Sequence, residues 1–178
     1  MPAPAQINDC RFIMNVLELF TPVKVFVFDI DGVLTDGMLH VQEDGELLRR
    51  MNIKDGYALQ LAVKKGYKVW VISGGKTNAV KNRLSRLGVE DVYVDVKDKV
   101  ALLTQKMSEI SLRKENVLYM GDDMPDLAAM QLCGLRTCPS DAVAEIRNIA
   151  DYISPFAAGA GCARDVIEKV LKINNHWE

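Results

Sequence analysis

Lys24-Val25-Phe26-Val27-Phe28-Asp29-Ile30-Asp31-Gly32-Val33-Leu34-Thr35 begins as a run of apolar, β-favouring residues and ends abruptly in two carboxylates, a glycine and a hydroxyl. A continuous apolar run suits a strand covered on both faces, as in a parallel sheet. Alternation along a strand puts Asp29 and Asp31 on the same side, and Gly32 marks where the strand ends. Two neighbouring carboxylates repel each other and are expensive to desolvate. A divalent cation between them, at the carboxyl end of a central strand, removes both difficulties. The plainer alternative is a solvated acidic turn. The cation is preferred because groups of matching chemistry recur at later strand ends.

Downstream, the chain alternates strand and helix. Met38 to Val41 and Leu47 to Met51, around the charged turn Glu43-Asp44-Gly45-Glu46, predict a β-hairpin just after the acidic turn, overhanging the site. His40 within it reads as structural or solvated. A polar loop, Asn52 to Gly56, is expected to open a helix over 57–65 that Gly66 ends. Further strands are predicted at 67–72, 91–94, 116–120, 135–138 and 152–153. Helices are predicted at 76–87, 100–110, after Asp126 to Leu132, after a Pro139-Ser140 cap to about Ile149, and at 163–173. Trp70 and Met120 read as core, and Lys76 as a surface side chain. The expected fold class is therefore α/β: a doubly wound, mainly parallel, Rossmannoid sheet with a hairpin flap and right-handed crossovers. Residues 23–173 form the expected domain. A leader with a short helix over 11–20 (Phe12, Val16 and Leu19 on one face) precedes it, and a frayed tail, 174–178, follows.

The totals exclude several classes. With 178 residues the chain suits one well-packed domain. A net charge of -2 gives no electrostatic reason for a nucleic-acid partner. No apolar run reaches the about 18 residues of a membrane span, and no secretory signal is recognised at the N-terminus. Cys10, Cys133, Cys138 and Cys162 lack zinc-ligand spacing and read as small buried hydrophobes of a reducing, cytoplasmic protein.

Strand ends and the loops after them present Asp29 and Asp31, then Ser73 in a Ser-Gly-Gly turn, then Lys99, then Asp122, Asp123 and Asp126. In a parallel sheet these all reach one edge. Mg²⁺ takes oxygen ligands, often a few carboxylates completed by phosphate and water. A hydroxyl, free N–H groups and an ammonium are what phosphoryl oxygens require. The constellation reads as phosphoryl transfer with a carboxylate as nucleophile.

Asp29 to Thr35, Ser73-Gly74, Lys99 and Gly121-Asp122-Asp123-Met124-Pro125-Asp126 resemble, in order, the four motifs of the haloacid dehalogenase superfamily. The resemblance covers about residues 24–171. It is nearest to the cap-less branch of the 3-deoxy-D-manno-octulosonate 8-phosphate (KDO 8-phosphate) phosphatases, through Thr35-Asp36-Gly37, Asn52 to Tyr57 and the glycine-rich turn before Arg164. It implies a Mg²⁺-dependent phosphatase of a sugar-acid phosphate. Asp29 would become an aspartyl phosphate. Asp31 would protonate the leaving oxygen, activate water and offer its backbone carbonyl to the metal. Ser73 and Lys99 would hold the phosphoryl group, and Asp122 would ligate Mg²⁺, supported by Asp123 and Asp126. Gly74, Asn52, Lys54, Asp55, Gly56 and Arg164 would border the substrate.

Two positions depart from the branch's pattern. Gly75 stands where an arginine often follows the second motif's glycine, and Ala160 stands where the octulosonate phosphatases carry an arginine. These leave a nonulosonate 9-phosphate or another small sugar phosphate open. No span between motifs can hold a lid domain, so a neighbouring subunit is expected to close the site, with the hairpin and the C-terminal turn at the interface. The resemblance implies a homotetramer. The rival from another class is a receiver-like signalling module. It too gathers acids, a hydroxyl and a lysine around Mg²⁺, but Asp95, the mid-chain candidate, lacks the setting.

Overall fold

Four β-favouring residues, Val25–Phe28, form the central strand β1, and all four are buried. The structure, a computed structural model, describes residues 15–177. A 3₁₀ turn, Val16–Phe20, precedes β1; the rest of the helix expected over 11–20, with Phe12, Cys10 and the leader, lies outside the described residues. After β1 come the hairpin strands β2 (His40–Val41) and β3 (Leu47–Leu48), helix α1 (Ile53–Lys64), β4 (Lys68–Ile72), α2 (Asn78–Ser85), β5 (Asp91–Tyr93) and α3 (Lys99–Glu109). Then follow β6 (Val117–Met120), α4 (Met124–Met130), β7 (Leu135–Cys138), α5 (Ala144–Ile149), β8 (Tyr152–Ile153) and α6 (Cys162–Ile173). The main sheet runs β5-β4-β1-β6-β7-β8 with every pairing parallel, while β2 and β3 pair only with each other.

Alternation divides the core between the two faces of this sheet. Phe26 and Phe28 join Leu59 and Ala62 of α1, Val80 and Leu84 of α2, and Val166, Ile167 and Val170 of α6. Val25 and Val27 join Trp70, Ile72 and Tyr119 with Leu103 of α3, Met130 of α4 and Ile146 of α5. Burying such side chains contributes roughly 1.5–3 kcal/mol each before entropy is charged against it. The chain winds outward from β1 to β5, then returns past β1 to β6, so the order reverses at β1. That reversal is where open α/β sheets collect ligands.

Three expectations fail locally. Helix α1 starts at Ile53, not near Tyr57, because the Asn52 side chain accepts from the Lys54 N–H at 2.8 Å and so caps it earlier. Helix α5 starts at Ala144, and Pro139-Ser140 does not cap it. The Ala142 N–H turns back to the Pro139 carbonyl and the Val143 N–H bonds the Asp122 carbonyl, tying this segment to the loop after β6. The tail is docked through Trp177 rather than frayed. Tyr67 Oη lies 2.9 Å from His176 Nδ1, and the Trp177 ring lies 5.1 Å from the Arg164 guanidinium.

Candidate active site

Parallel register brings the ends of β1, β4 and β6 together: Phe28 is level with Val71 on one side and Met120 on the other. The Asp29 N–H donates to the Met120 carbonyl at 3.2 Å, so Asp29 lies against the strand that leads into Asp122. Its Oδ1 accepts from the Ile30 N–H at 2.7 Å, opening a distorted helical turn over Ile30–Leu34. Gly32 sits in that turn at φ +83°, and a Cβ there would come within 1.9 Å of Asp122 Oδ2. Only glycine permits both the left-handed backbone and this approach.

Beneath the two acids lies a buried chain of charge. Lys99, the first residue of α3, places Nζ 3.1 Å from Asp29 Oδ2 and 2.8 Å from Asp126 Oδ1, with its side chain 7% exposed. Tyr119 Oη also donates to Asp126 Oδ1 at 2.8 Å, and the Asp122 N–H reaches Asp126 Oδ2 at 3.3 Å. Asp126 is therefore completely enclosed and occupied on both oxygens, not merely a helix-start charge. Burial, then Asp126, pushes the Asp29 carboxyl up to about 7 against the pull of Lys99. Burial, then Asp29 and Asp126, also pushes Asp122 up to about 7. Burial lowers the Lys99 ammonium, but Asp126 and Asp29 outweigh it and leave its pKa above the ordinary value. The Tyr119 hydroxyl is driven well above its usual range by burial and by Asp126.

Like charges this close fit a cation. One carboxylate oxygen each of Asp29, Asp122 and Asp126 all lie within 4.8 Å of one another. Among the described residues no hydrogen bond reaches the Asp122 carboxylate, which leaves Asp29 and Asp122 as the acids with capacity for a hard, oxygen-seeking ion. The Asp31 side chain lies outside this cluster. Asp123 is exposed and its Oδ1 caps α4 through the Met124 N–H at 2.7 Å. Ser73 is buried where β4 ends, and its Oγ accepts from the Gly75 N–H at 3.2 Å beside exposed Gly74.

The Asp31 carboxylate is engaged by a residue that the sequence reading did not single out. Arg49, just past β3, donates Nε to Oδ1 at 2.6 Å and Nη2 to Oδ2 at 3.0 Å. The residues expected to border the substrate divide into two groups. Asn52 gives its amide to the Gly159 carbonyl at 3.2 Å while capping α1. Asp55 is buried and caps the start of α6 through the Arg164 N–H at 2.7 Å; burial raises its pKa against that bond. Gly56 faces α2, where a Cβ would meet Arg83 and Leu87. Asn52 also lines a small open pocket with Asp36, Arg50, Met51 and Gly159. Lys54 and Arg164 instead line an open groove of about 490 Å³ with Ala160 and Gly161, although the Arg164 guanidinium is paired with Glu168 at 3.1 Å.

A family model described as haloacid dehalogenase-like hydrolase matches residues 91–165. The chain is 32% identical over 157 residues to the 3-deoxy-D-manno-octulosonate 8-phosphate phosphatase KdsC of Escherichia coli K12, covering 88% of this chain and 84% of that protein. Among solved structures it superposes with TM-score 0.86 on the phosphatase of that name from Moraxella catarrhalis in complex with magnesium, phosphate and KDO (28% identity; 90% and 93% of the two chains). It superposes with TM-score 0.87 on a probable YrbI family phosphatase from Pseudomonas syringae (34% identity; 90% and 92%). Among the described residues no helix is long and apolar enough to cross a membrane.

Proposed function

The chain belongs to the haloacid dehalogenase superfamily, in the branch of the KDO 8-phosphate phosphatases, and on that premise we propose that it removes phosphate from a phosphorylated sugar acid at the Asp29–Asp122 cluster. It is a phosphoric monoester hydrolase that uses Mg²⁺. KDO 8-phosphate is the substrate supported best, with a nonulosonate 9-phosphate kept beside it because of Ala160. When bound, Mg²⁺ supplies charge neutralisation for the phosphoryl oxygens and for the crowded acids; Asp29, Asp122 and the Asp31 carbonyl would hold it.

The chain's own groups divide the work. An Asp29 oxygen attacks phosphorus, the bond from phosphorus to the sugar oxygen breaks, and Asp31 gives that oxygen a proton. Water, giving its proton back to Asp31, then attacks phosphorus and releases Asp29 and inorganic phosphate. Ser73, the N–H groups of its turn and Lys99 bind the phosphoryl oxygens, and buried Asp126 and Tyr119 hold Lys99 in place. Lys54, on the rim of the groove, offers an ammonium to the sugar acid's carboxylate.

The reading extends to a cytoplasmic homotetramer. Met38, Leu39, Val41, Leu47 and Leu48 are all exposed on an arm that pairs only with itself, and a second copy would cover them.

The observation that carries the enzymatic reading is the convergence of three carboxylate oxygens within 4.8 Å beside a buried lysine. Phosphate release from KDO 8-phosphate with Mg²⁺, abolished by chelator and by Asp29→Asn in a folded variant, is the expected result. Wild-type rates from that variant would remove Asp29 as nucleophile. A fully active monomer in sedimentation would remove the tetramer.

A further inference from the structure

We propose that Arg49 is a positioning residue for Asp31, and that Gly75 is the vacancy that lets it act. The inference rests on the phosphatase reading above and deepens it. The Arg49 guanidinium meets Asp31 fork to fork, Nε to Oδ1 at 2.6 Å and Nη2 to Oδ2 at 3.0 Å, while Nη1 is held by the Leu47 carbonyl at 3.3 Å. Such paired bonds fix direction as well as distance. The Arg49 side chain is 4% exposed, although it belongs to an arm of mostly exposed residues; Asp31 is 33% exposed on the open side of the site. A surface ion pair tolerates many geometries, but a buried guanidinium holding a half-exposed carboxylate imposes one.

The space for it comes from the turn after β4. A Cβ on Gly75 would lie 3.1 Å from Asp31 Oδ2 and 3.2 Å from Arg49 Nη2. Any side chain at 75 would press on both partners of the pair. Two residues beyond Arg49, Met51 bridges Thr35, so the arm re-enters the body beside the turn that carries Asp31. Thr35 Oγ1 also donates to Asp31 Oδ1, at 3.5 Å.

Aim matters for Asp31 because its task is a proton transfer to one oxygen atom of the substrate. A displacement of about 1 Å in such a group can lower the rate roughly 10²-fold. Arg49 bonds Asp31 and the Leu47 carbonyl and makes no hydrogen bond to Asp29, the attacking residue; its effect passes through Asp31.

Leaving-group dependence separates this role from a merely structural one. A p-nitrophenolate departs without a proton, whereas a sugar or glycerol alkoxide needs one. The test measures kcat and KM of wild type, Arg49→Gln, Arg49→Lys and Gly75→Ala with p-nitrophenyl phosphate and with glycerol 2-phosphate. The expected result for Arg49→Gln is a kcat/KM on the alkyl ester lower by about tenfold or more, within what general acid catalysis supplies, with the aryl ester's kcat/KM largely retained; kcat/KM ends at transfer to Asp29 and so leaves out the water step that Asp31 serves for both esters. Arg49→Lys keeps the charge without the fork and is expected to fall between. Gly75→Ala repeats the selective loss without touching the arginine, and serves if Arg49→Gln melts early. Equal losses of kcat/KM on the two esters, or an undiminished alkyl kcat/KM in both Arg49→Gln and Gly75→Ala, overturn the proposal. Failure of wild type on both esters and on KDO 8-phosphate removes the phosphatase reading and this proposal with it; wild-type turnover with no selectivity in the variants removes this proposal alone.

Discussion

Replacing Asp29 with asparagine is expected to stabilise the metal-free protein at neutral pH while abolishing turnover. Folding raises the Asp29 carboxyl from an ordinary 3.8 to about 7, chiefly through burial and then through Asp126. The folded form therefore binds a proton that the unfolded chain has already released. Stability from this group is complete below about pH 3.8 and drains away as pH climbs toward 7. At 1.36 kcal/mol per unit the loss amounts to about 4 kcal/mol by pH 8. Asparagine keeps the shape and has no charge to bury. For a chain of this size that is a rise in melting temperature of about 10 °C, at 2–4 °C per kcal/mol. Thermal unfolding of both proteins in chelator, at pH 5 and pH 8, reads this out. The gap at pH 5 is expected to be under half that at pH 8, because only about 1.2 of the roughly 3.2 pH units between the unfolded and folded pKa values have been crossed. Added Mg²⁺ narrows the gap at pH 8 by stabilising the wild type through its missing counter-charge. An Asp29→Asn protein that melts at or below wild type at pH 8 in chelator would refute the picture of crowded, unneutralised acids.

Other substitutions test the remaining parts. Gly32→Ala places a Cβ within 1.9 Å of Asp122 Oδ2 at φ +83°, so the Mg²⁺ concentration giving half-maximal activity is expected to rise at least about tenfold, checked by metal titration. Tyr119→Phe removes a donor from enclosed Asp126 and is expected to cost about 1–3 kcal/mol in denaturant unfolding, with a smaller loss of rate. Lys54→Ala is expected to raise KM for KDO 8-phosphate while leaving p-nitrophenyl phosphate unaffected. Asn52→Ala, which loses the α1 cap and the Gly159 tie, is expected to lower stability by about 1–2 kcal/mol, seen in the same unfolding assay.

The sheet was legible because the strands carry their signal locally. Val25 to Phe28 and Val117 to Met120 are short apolar runs ending in acids, and parallel register then fixes where those acids go. The nucleophile candidate, the hydroxyl turn, the lysine and the second acid cluster follow from that edge alone. Arg49 was not legible. It lies 18 residues beyond Asp31, in a run of two leucines and two arginines whose periodicity does not say which arginine turns inward. Its partner Arg50 is exposed and pairs with Asp36 instead. Tyr119 was hidden for a related reason: within a buried strand an aromatic ring reads as core, and its hydroxyl matters only once Asp126 is known to lie beside it. Asn52 and Asp55 were recognised as special, but the sequence did not say what they bond. Their bonds to the Gly159 carbonyl and from the Arg164 N–H tie the start of α1 to the start of α6.

The docked tail has an experimental consequence. The chain has two tryptophans, and Trp70 is sealed inside the sheet with 1% of its surface exposed. Trp177 instead packs edge-on to Tyr57 and beside Arg164, a residue of the groove rim. Trp70 therefore contributes a steady background to the intrinsic fluorescence, and changes in emission wavelength or quenching arise at the C-terminus. The protein carries its own optical probe one residue away from the groove, readable without a label.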